Sequence, residues 1–166
     1  MRLHEGGQIF SLDLILASMI FLALLLSYAA FIYNYDARIL REKSQEELSL
    51  AAENAANSLV SSGGMPESWA GIKFEDVNSI GLASPFGVIS QKKISKLSDL
   101  NSAYYSEAKD LMGLSKYGAY ISLSDFNSGV LYEFGNRPVP DSMVGVSERI
   151  VVFNGDFAVL RLEAYK

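Results

Sequence analysis

Along residues 14–35 no position carries a charge, and almost every side chain is Leu, Ile, Ala, Phe, Met or Tyr. Wound as a helix, a run of this length crosses a hydrocarbon layer of about 30 Å, so the pattern predicts a transmembrane segment. Tyr28, Tyr33 and Tyr35 at its far end suit an interfacial belt, with rings among lipid tails and hydroxyls in water. Further on the pattern stays helical but turns amphipathic. Ala37, Leu40, Leu48, Ala51, Ala52, Ala55 and Leu59 recur at three- and four-residue intervals, while Arg38, Arg41, Glu42, Glu46 and Glu53 face elsewhere. Neither Pro nor Gly interrupts 10–62. One helix of about 80 Å is therefore expected at 1.5 Å per residue, stopped by Gly63, Gly64 and Pro66.

A second, short helix is predicted over 98–112, with Ser98 as N-cap, Leu97, Leu100, Tyr104, Ala108 and Leu111 on one side, and Gly113 closing it. The period then changes to two. Residues 117–123 and 130–134 read as strands around the turn-rich Ser124-Asp125-Phe126-Asn127-Ser128-Gly129. Arg137-Pro138-Val139-Pro140 is a stiff loop whose prolines cannot donate ladder bonds. Two longer strands, 144–153 and 156–165, are joined by Asn154-Gly155, the pair that best tolerates the positive φ angles of a type I′ turn.

Composition narrows the chemistry. Fourteen Lys and Arg against nineteen Asp and Glu leave a formal charge of −5, a field that repels nucleic acid. There is no cysteine, so disulfides, thiolate metal sites and a thiol nucleophile are excluded. The single histidine, His4, precedes the apolar run, so the globular part lacks the side chain that most often does acid/base work or binds zinc. Asp110, Asp125, Glu133, Asp141 and Asp156 are spread over separate elements without the spacing of a calcium loop, and no nucleotide-binding, hydrolase or zinc-protease motif is present. No enzyme, cofactor or metal is expected.

The apolar run and its flanks also admit two other readings. A secretory signal peptide would use Arg2 as its basic start and Ser27, Ala29 and Ala30 as a cleavage site, but the run is longer than an h-region and Asp13 interrupts its beginning. The count of cations near the membrane, Arg38, Arg41 and Lys43 after the run against Arg2 before it, would by itself place the domain in the cytoplasm.

Gly6-Gly7-Gln8-Ile9-Phe10-Ser11-Leu12-Asp13, followed at once by the apolar run, resembles the start of archaeal type IV pilin-like proteins with a class III signal peptide. Ser11 and Asp13 stand one residue later than the family's commoner spacing from the cleaved bond. Gly63-Gly64-Met65-Pro66-Glu67-Ser68-Trp69, Ile80-Gly81-Leu82-Ala83 and the closing Glu148-Arg149-Ile150-Val151-Val152-Phe153-Asn154-Gly155 are similar to segments of archaeal pilin-like membrane proteins. The resemblance implies cleavage between Gly7 and Gln8 by a prepilin-type peptidase, and a domain on the outer face. It also implies partners in a pilus assembly platform and in like or related pilin subunits.

The expected organisation is a leader over 1–7, a transmembrane helix over 8–35, an amphipathic helix over 36–62 and a globular domain over 63–166. The expected fold is α+β and pilin-like: the long helix packed on one antiparallel sheet of about four strands, with one extra short helix. Asp13 is a functional candidate because a carboxylate at the edge of an apolar helix is expensive unless paired or hydrated. The resemblance implies that it neutralises the freed α-amine of a neighbouring subunit; the plain alternative is a hydrated interfacial Asp. Trp69 is expected to plug the base of the core with its indole N–H on a backbone carbonyl, and Lys92, Lys93 and Lys96 to form a solvated face. The competing functional reading is a non-polymerising, single-pass, membrane-anchored interaction module outside the cytoplasm.

Overall fold

The computed structural model describes residues 5–84, 87–126 and 129–166, the side chains of 5–11, 34, 36 and 37 excepted. It divides the chain into two compact units, Met1–Lys43 and Ser44–Lys166. The first helix, α1, runs over Glu5–Ser61 and contributes to both.

In the first unit α1 is long and apolar enough to cross a membrane. Its large side chains are exposed, among them Leu12, Ile15, Met19, Phe21, Leu24 and Phe31. No charged side chain interrupts this surface between Asp13 and Tyr35, and Ser18 and Ser27 return their hydroxyl protons to the carbonyls of Leu14 and Ala23 four residues back. A serine so bonded leaves no unsatisfied donor in an apolar surrounding. Leu40, expected on the apolar side of the amphipathic stretch, is exposed.

In the second unit the same helix supplies core. Leu48, Ala52, Ala55, Ala56 and Leu59 are all buried, at the three- and four-residue spacing of a single helix face. They lie in one hydrophobic cluster with the inner faces of an antiparallel sheet. The elements after α1 are β1 (Gly64–Met65), two 3-10 turns (Trp69–Gly71 and Phe74–Asp76), β2 (Ser79–Ile80), α2 (Gln91–Leu100), α3 (Tyr105–Leu111), β3 (Gly118–Asp125), β4 (Gly129–Gly135), β5 (Val144–Phe153) and β6 (Asp156–Tyr165). Strands β3 to β6 form a four-stranded sheet in the order β4-β3-β6-β5, antiparallel throughout. The architecture is thus a long N-terminal helix with mixed α+β structure.

Alternation decides which side of the sheet is buried. Ala158, Leu160, Leu162 and Ala164 of β6 are buried, and the last three pair with Leu123, Ile121 and Ala119 of β3 on the same face. Their neighbours Phe157 and Arg161 point to solvent, as do Val146, Glu148 and Ile150 of β5. The β5–β6 hairpin turns through Asn154 at φ 52° and Gly155 at φ 93°, the two positive angles a type I′ turn requires.

Two expectations are corrected. A single sheet was expected, whereas β1 and β2 pair as a separate two-stranded sheet, Gly64 opposite Ile80 and Met65 opposite Ser79. The single helix over 98–112 is instead two helices: α2 begins after Ser90, and residues 101–104 separate it from α3. Ser98 is no N-cap. It sits in the last turn of α2 and donates to the Glu133 carbonyl (2.8 Å), while Asn101 Oδ1 accepts from the Gly135 N–H (2.8 Å). Both side chains are spent on strand β4, which holds the helix end where continuation of α2 would carry it away. In the turn between β3 and β4, Asn127 and Ser128 lie outside the described residues.

Helix and sheet backbones approach closely at Gly145 of β5, where a Cβ would overlap the Leu48 carbonyl group and the Ser49 nitrogen. Gly145→Val is therefore expected to destabilise this unit by about 1–3 kcal/mol through overpacking, read as a lowered midpoint in chemical denaturation. Two residues on, the buried Ser147 hydroxyl finds no hydrogen-bond partner among the described residues. Ser147→Ala should raise stability by roughly 1–2 kcal/mol by removing a desolvated polar group; an unchanged or lowered midpoint would show that the hydroxyl is satisfied in solution.

Candidate functional site

Sequence reasoning placed the functional residues at the start of α1. Gly7 and Gln8 fall within its backbone span, but their side chains lie outside the described residues. Asp13 is exposed, at the edge of the apolar surface formed by Leu12, Leu14, Ile15 and Leu16. No described side chain forms an ion pair with it. Among the described residues nothing on its own chain satisfies the carboxylate, which is the condition both readings of this residue require.

The second unit contains a polar arrangement that the sequence reading missed. α1 stops at Ser61, and the chain reverses direction with Gly64 at φ 82°. At this helix end Lys93 of α2, expected in a solvated face, turns inward and is buried. Its Nζ donates to the carbonyls of Gly63 (2.8 Å) and Ala83 (2.7 Å). A cation suits the negative end of a helix and the carbonyls left without intrahelical partners there. Burial pushes the Lys93 ammonium below its ordinary range, and the charge of Glu67 offsets part of that shift. The one available sequence signal was the placing of Lys93 directly before Ile94 and four residues from the apolar Leu97, within the face that α2 buries.

Trp69 lies beside this junction, buried, with Nε1–H donating to the Gly81 carbonyl (2.8 Å), as its isolation after the helix stop led one to expect. Lys93 and Trp69 thus tie the exit of α1 to the segment between β2 and α2. The bonding is structural in kind: two of the three ammonium protons go to backbone carbonyls.

On the outer side of β3 and β4 a second cluster forms. The Tyr120 hydroxyl donates to Glu133 Oε1 (2.8 Å), which also accepts from Arg137 Nη2 (2.6 Å), and the guanidinium lies 5.3 Å from the Tyr120 ring centroid. These bonds, from Tyr120 first and Arg137 second, hold the Glu133 carboxyl below the usual range. Burial, then the same hydrogen bond, pushes the Tyr120 phenol up. Next to Tyr120 in β3, Ala119 is bracketed by the Tyr105 hydroxyl, which accepts from its N–H (3.0 Å) and donates to its carbonyl (3.2 Å). Burial, with Tyr105 nearby, pushes the Tyr165 phenol up to about 12.

The carboxylates that looked scattered in sequence are partly gathered by the hairpins. Asp125 and Asp156 both border a small pocket of about 160 Å³ with Asn154 and Phe157. Among the described residues no three His, Cys, Asp or Glu come together as metal ligands would. Comparison of the chain with protein-family models, with curated proteins and with solved structures finds no match.

The Lys93 junction makes a prediction with a defined pH sign. Lys93→Met keeps the stem but removes the bonds to Gly63 and Ala83, and is expected to cost about 1–3 kcal/mol at neutral pH. Because the folded-state pKa is lowered, the unfolded chain holds this proton over a pH range in which the folded chain has lost it. Stability of the wild type should therefore rise, for this group, as pH climbs through the folded value towards 10.5. The gap between wild type and Lys93→Met, measured by denaturant titration from pH 7 to 10, should widen; a gap that narrows would contradict the assigned burial.

Proposed function

We propose that this chain is a pilin-like subunit of an archaeal type IV pilus-type surface filament or of its assembly apparatus, processed by a prepilin-type peptidase between Gly7 and Gln8. The reading is carried by one observation: α1 is a single helix whose later turns are core of a folded unit while its earlier turns present an exposed apolar surface. Such a surface needs lipid or other apolar helices around it. In a membrane it anchors the chain as a single pass, with residues 63–166 outside the cytoplasm. In a filament the same surface exchanges lipid for the equivalent helices of like subunits, held by side-chain packing rather than by the hydrophobic effect.

Asp13 gives this exchange a register. An exposed carboxylate at the rim of the apolar surface, with no described partner on its own chain, supplies the counter-charge for the α-amine that cleavage before Gln8 would free on a neighbour. Docking without it would leave a buried cation uncompensated, a costly arrangement at a subunit interface. The leader over residues 1–7 would remove that amine from reach as long as it stayed attached.

N-terminal sequencing of native protein tests processing directly: Gln8 is expected first, Met1 would indicate a plain anchor, and a start near Ala30 or Phe31 would indicate secretion. Asp13→Ala and Gly7→Leu are each expected to leave membrane levels unchanged and to reduce surface filament yield at least about tenfold, the loss of one buried charge pair. Protease added to intact cells should digest the second unit. Equal filament yields for wild type and both variants, or absence of this protein from any filament, would leave the non-polymerising anchored module as the better description.

A further inference from the structure

The second unit has an open cleft of about 520 Å³ between the segment carrying the second 3-10 turn and helix α2, with Ile72, Lys73, Phe74, Lys96, Leu100 and Tyr104 among its lining residues. Its volume lies in the range of small-ligand sites, about 300–1,000 Å³. Its walls combine two features. Phe74 and Tyr104 form a tilted ring pair with centroids 4.9 Å apart, backed by the buried Leu100. Cations stand on both sides of them: Lys73 on the 3-10 side, Lys96 on the helix side, and the ammonium of Lys92 beside Gly71 at one end.

These lysines differ from three arginines of the unit. Arg137, Arg149 and Arg161 each hold a carboxylate within ion-pair distance. Among the described residues, Lys73, Lys92 and Lys96 hold none, and only Glu75 brings a negative charge to the cleft wall. In a chain of net charge −5, three unpaired cations converging on one aromatic-walled cleft form a local reversal of sign. Lys93, between them in sequence, is turned inward and does not take part.

We propose that this cleft binds an acidic saccharide, with its carboxylates on Lys73, Lys96 and Lys92 and the C–H face of a sugar ring against Tyr104 and Phe74. Ammonium groups on flexible stems recognise separate carboxylates as point charges and need no fixed fork geometry. The ring pair accounts for what a bare inorganic anion would leave unused, since an aromatic face beside polar groups takes a ligand that is itself apolar on one side. The negative field of the remaining surface disfavours a densely charged polyanion such as nucleic acid. The assignment holds whether or not the chain polymerises.

The test is titration of the full-length protein in neutral phosphatidylcholine nanodiscs with a galacturonic acid trisaccharide, against the trisaccharide with its carboxylates reduced, and against inorganic phosphate. The acidic trisaccharide should bind at least about tenfold more tightly than the neutral one, an advantage that shrinks as salt is raised. Lys73→Gln with Lys96→Gln should remove that advantage, Tyr104→Ala should weaken binding of the acidic trisaccharide several-fold, and Lys116→Gln, an exposed control lysine, should change nothing. Should the double variant misfold, amide shift mapping on the wild type decides instead, with perturbations expected over residues 71–75 and 96–104. Equal binding of acidic and neutral forms, perturbations elsewhere, or no saturable binding would overturn the proposal. Phosphate competing as strongly as the acidic trisaccharide would overturn the saccharide assignment.

Discussion

The second unit depends on how closely the later turns of α1 can lie against the sheet. Ala52, Ala55 and Ala56 give the helix a thin face between Leu48 and Leu59, and Gly145 leaves the facing strand without a side chain where the Leu48 and Ser49 backbone passes. Small residues bring two backbones together, and close packing then extends from both ends of the contact. Arg149, on the helix-facing side of β5, reaches back to Asn57 (2.9 Å) and Glu53 (3.3 Å), and Gln45 donates to the Val144 carbonyl (2.6 Å). Exposed pairs of this kind contribute little energy but set the helix's position along the strand.

That placement also fixes where α1 ends and what must meet it. The last carbonyls of a helix need donors, and a buried end without them is costly. Lys93 supplies an ammonium to the chain leaving α1, while Trp69 fills the space beside it and spends its indole N–H on Gly81. Helix α2 is thereby bound at one end to the exit of α1 and at the other, through Ser98 and Asn101, to strand β4. Residues on its remaining side, Lys92 and Lys96, are left to the cleft.

One helix therefore serves two environments by composition alone. Its earlier turns carry Leu, Ile, Phe and Met on every side, which suits a surrounding of lipid or other helices. Its later turns confine apolar residues to one face, which suits a helix with a sheet on one side and water on the other. The exposed Asp13 marks the start of the first regime, and the exposed Leu40 shows that the second does not bury its face until Leu48.

What the chain alone determined was local. The apolar run, the uninterrupted helix, its stop before Gly64, the two long strands and the Asn154-Gly155 turn follow from side-chain period and backbone preference, which act between near neighbours. Trp69 was legible too, because a lone large side chain after a helix stop has few places to go. Other features were decided only by contacts between distant segments. The period over 98–112 continues across residues 101–104, so nothing local reveals that β4 would claim Ser98 and Asn101 and divide the helix. The strands β1 and β2 are two residues each, too short to carry a pattern. Lys92, Lys93 and Lys96 look alike in a row, yet α2 turns one towards two carbonyls and the others outwards. Their difference comes from the carbonyls of Gly63 and Ala83, thirty and ten residues away in the chain, which only the folded structure brings within reach of Lys93.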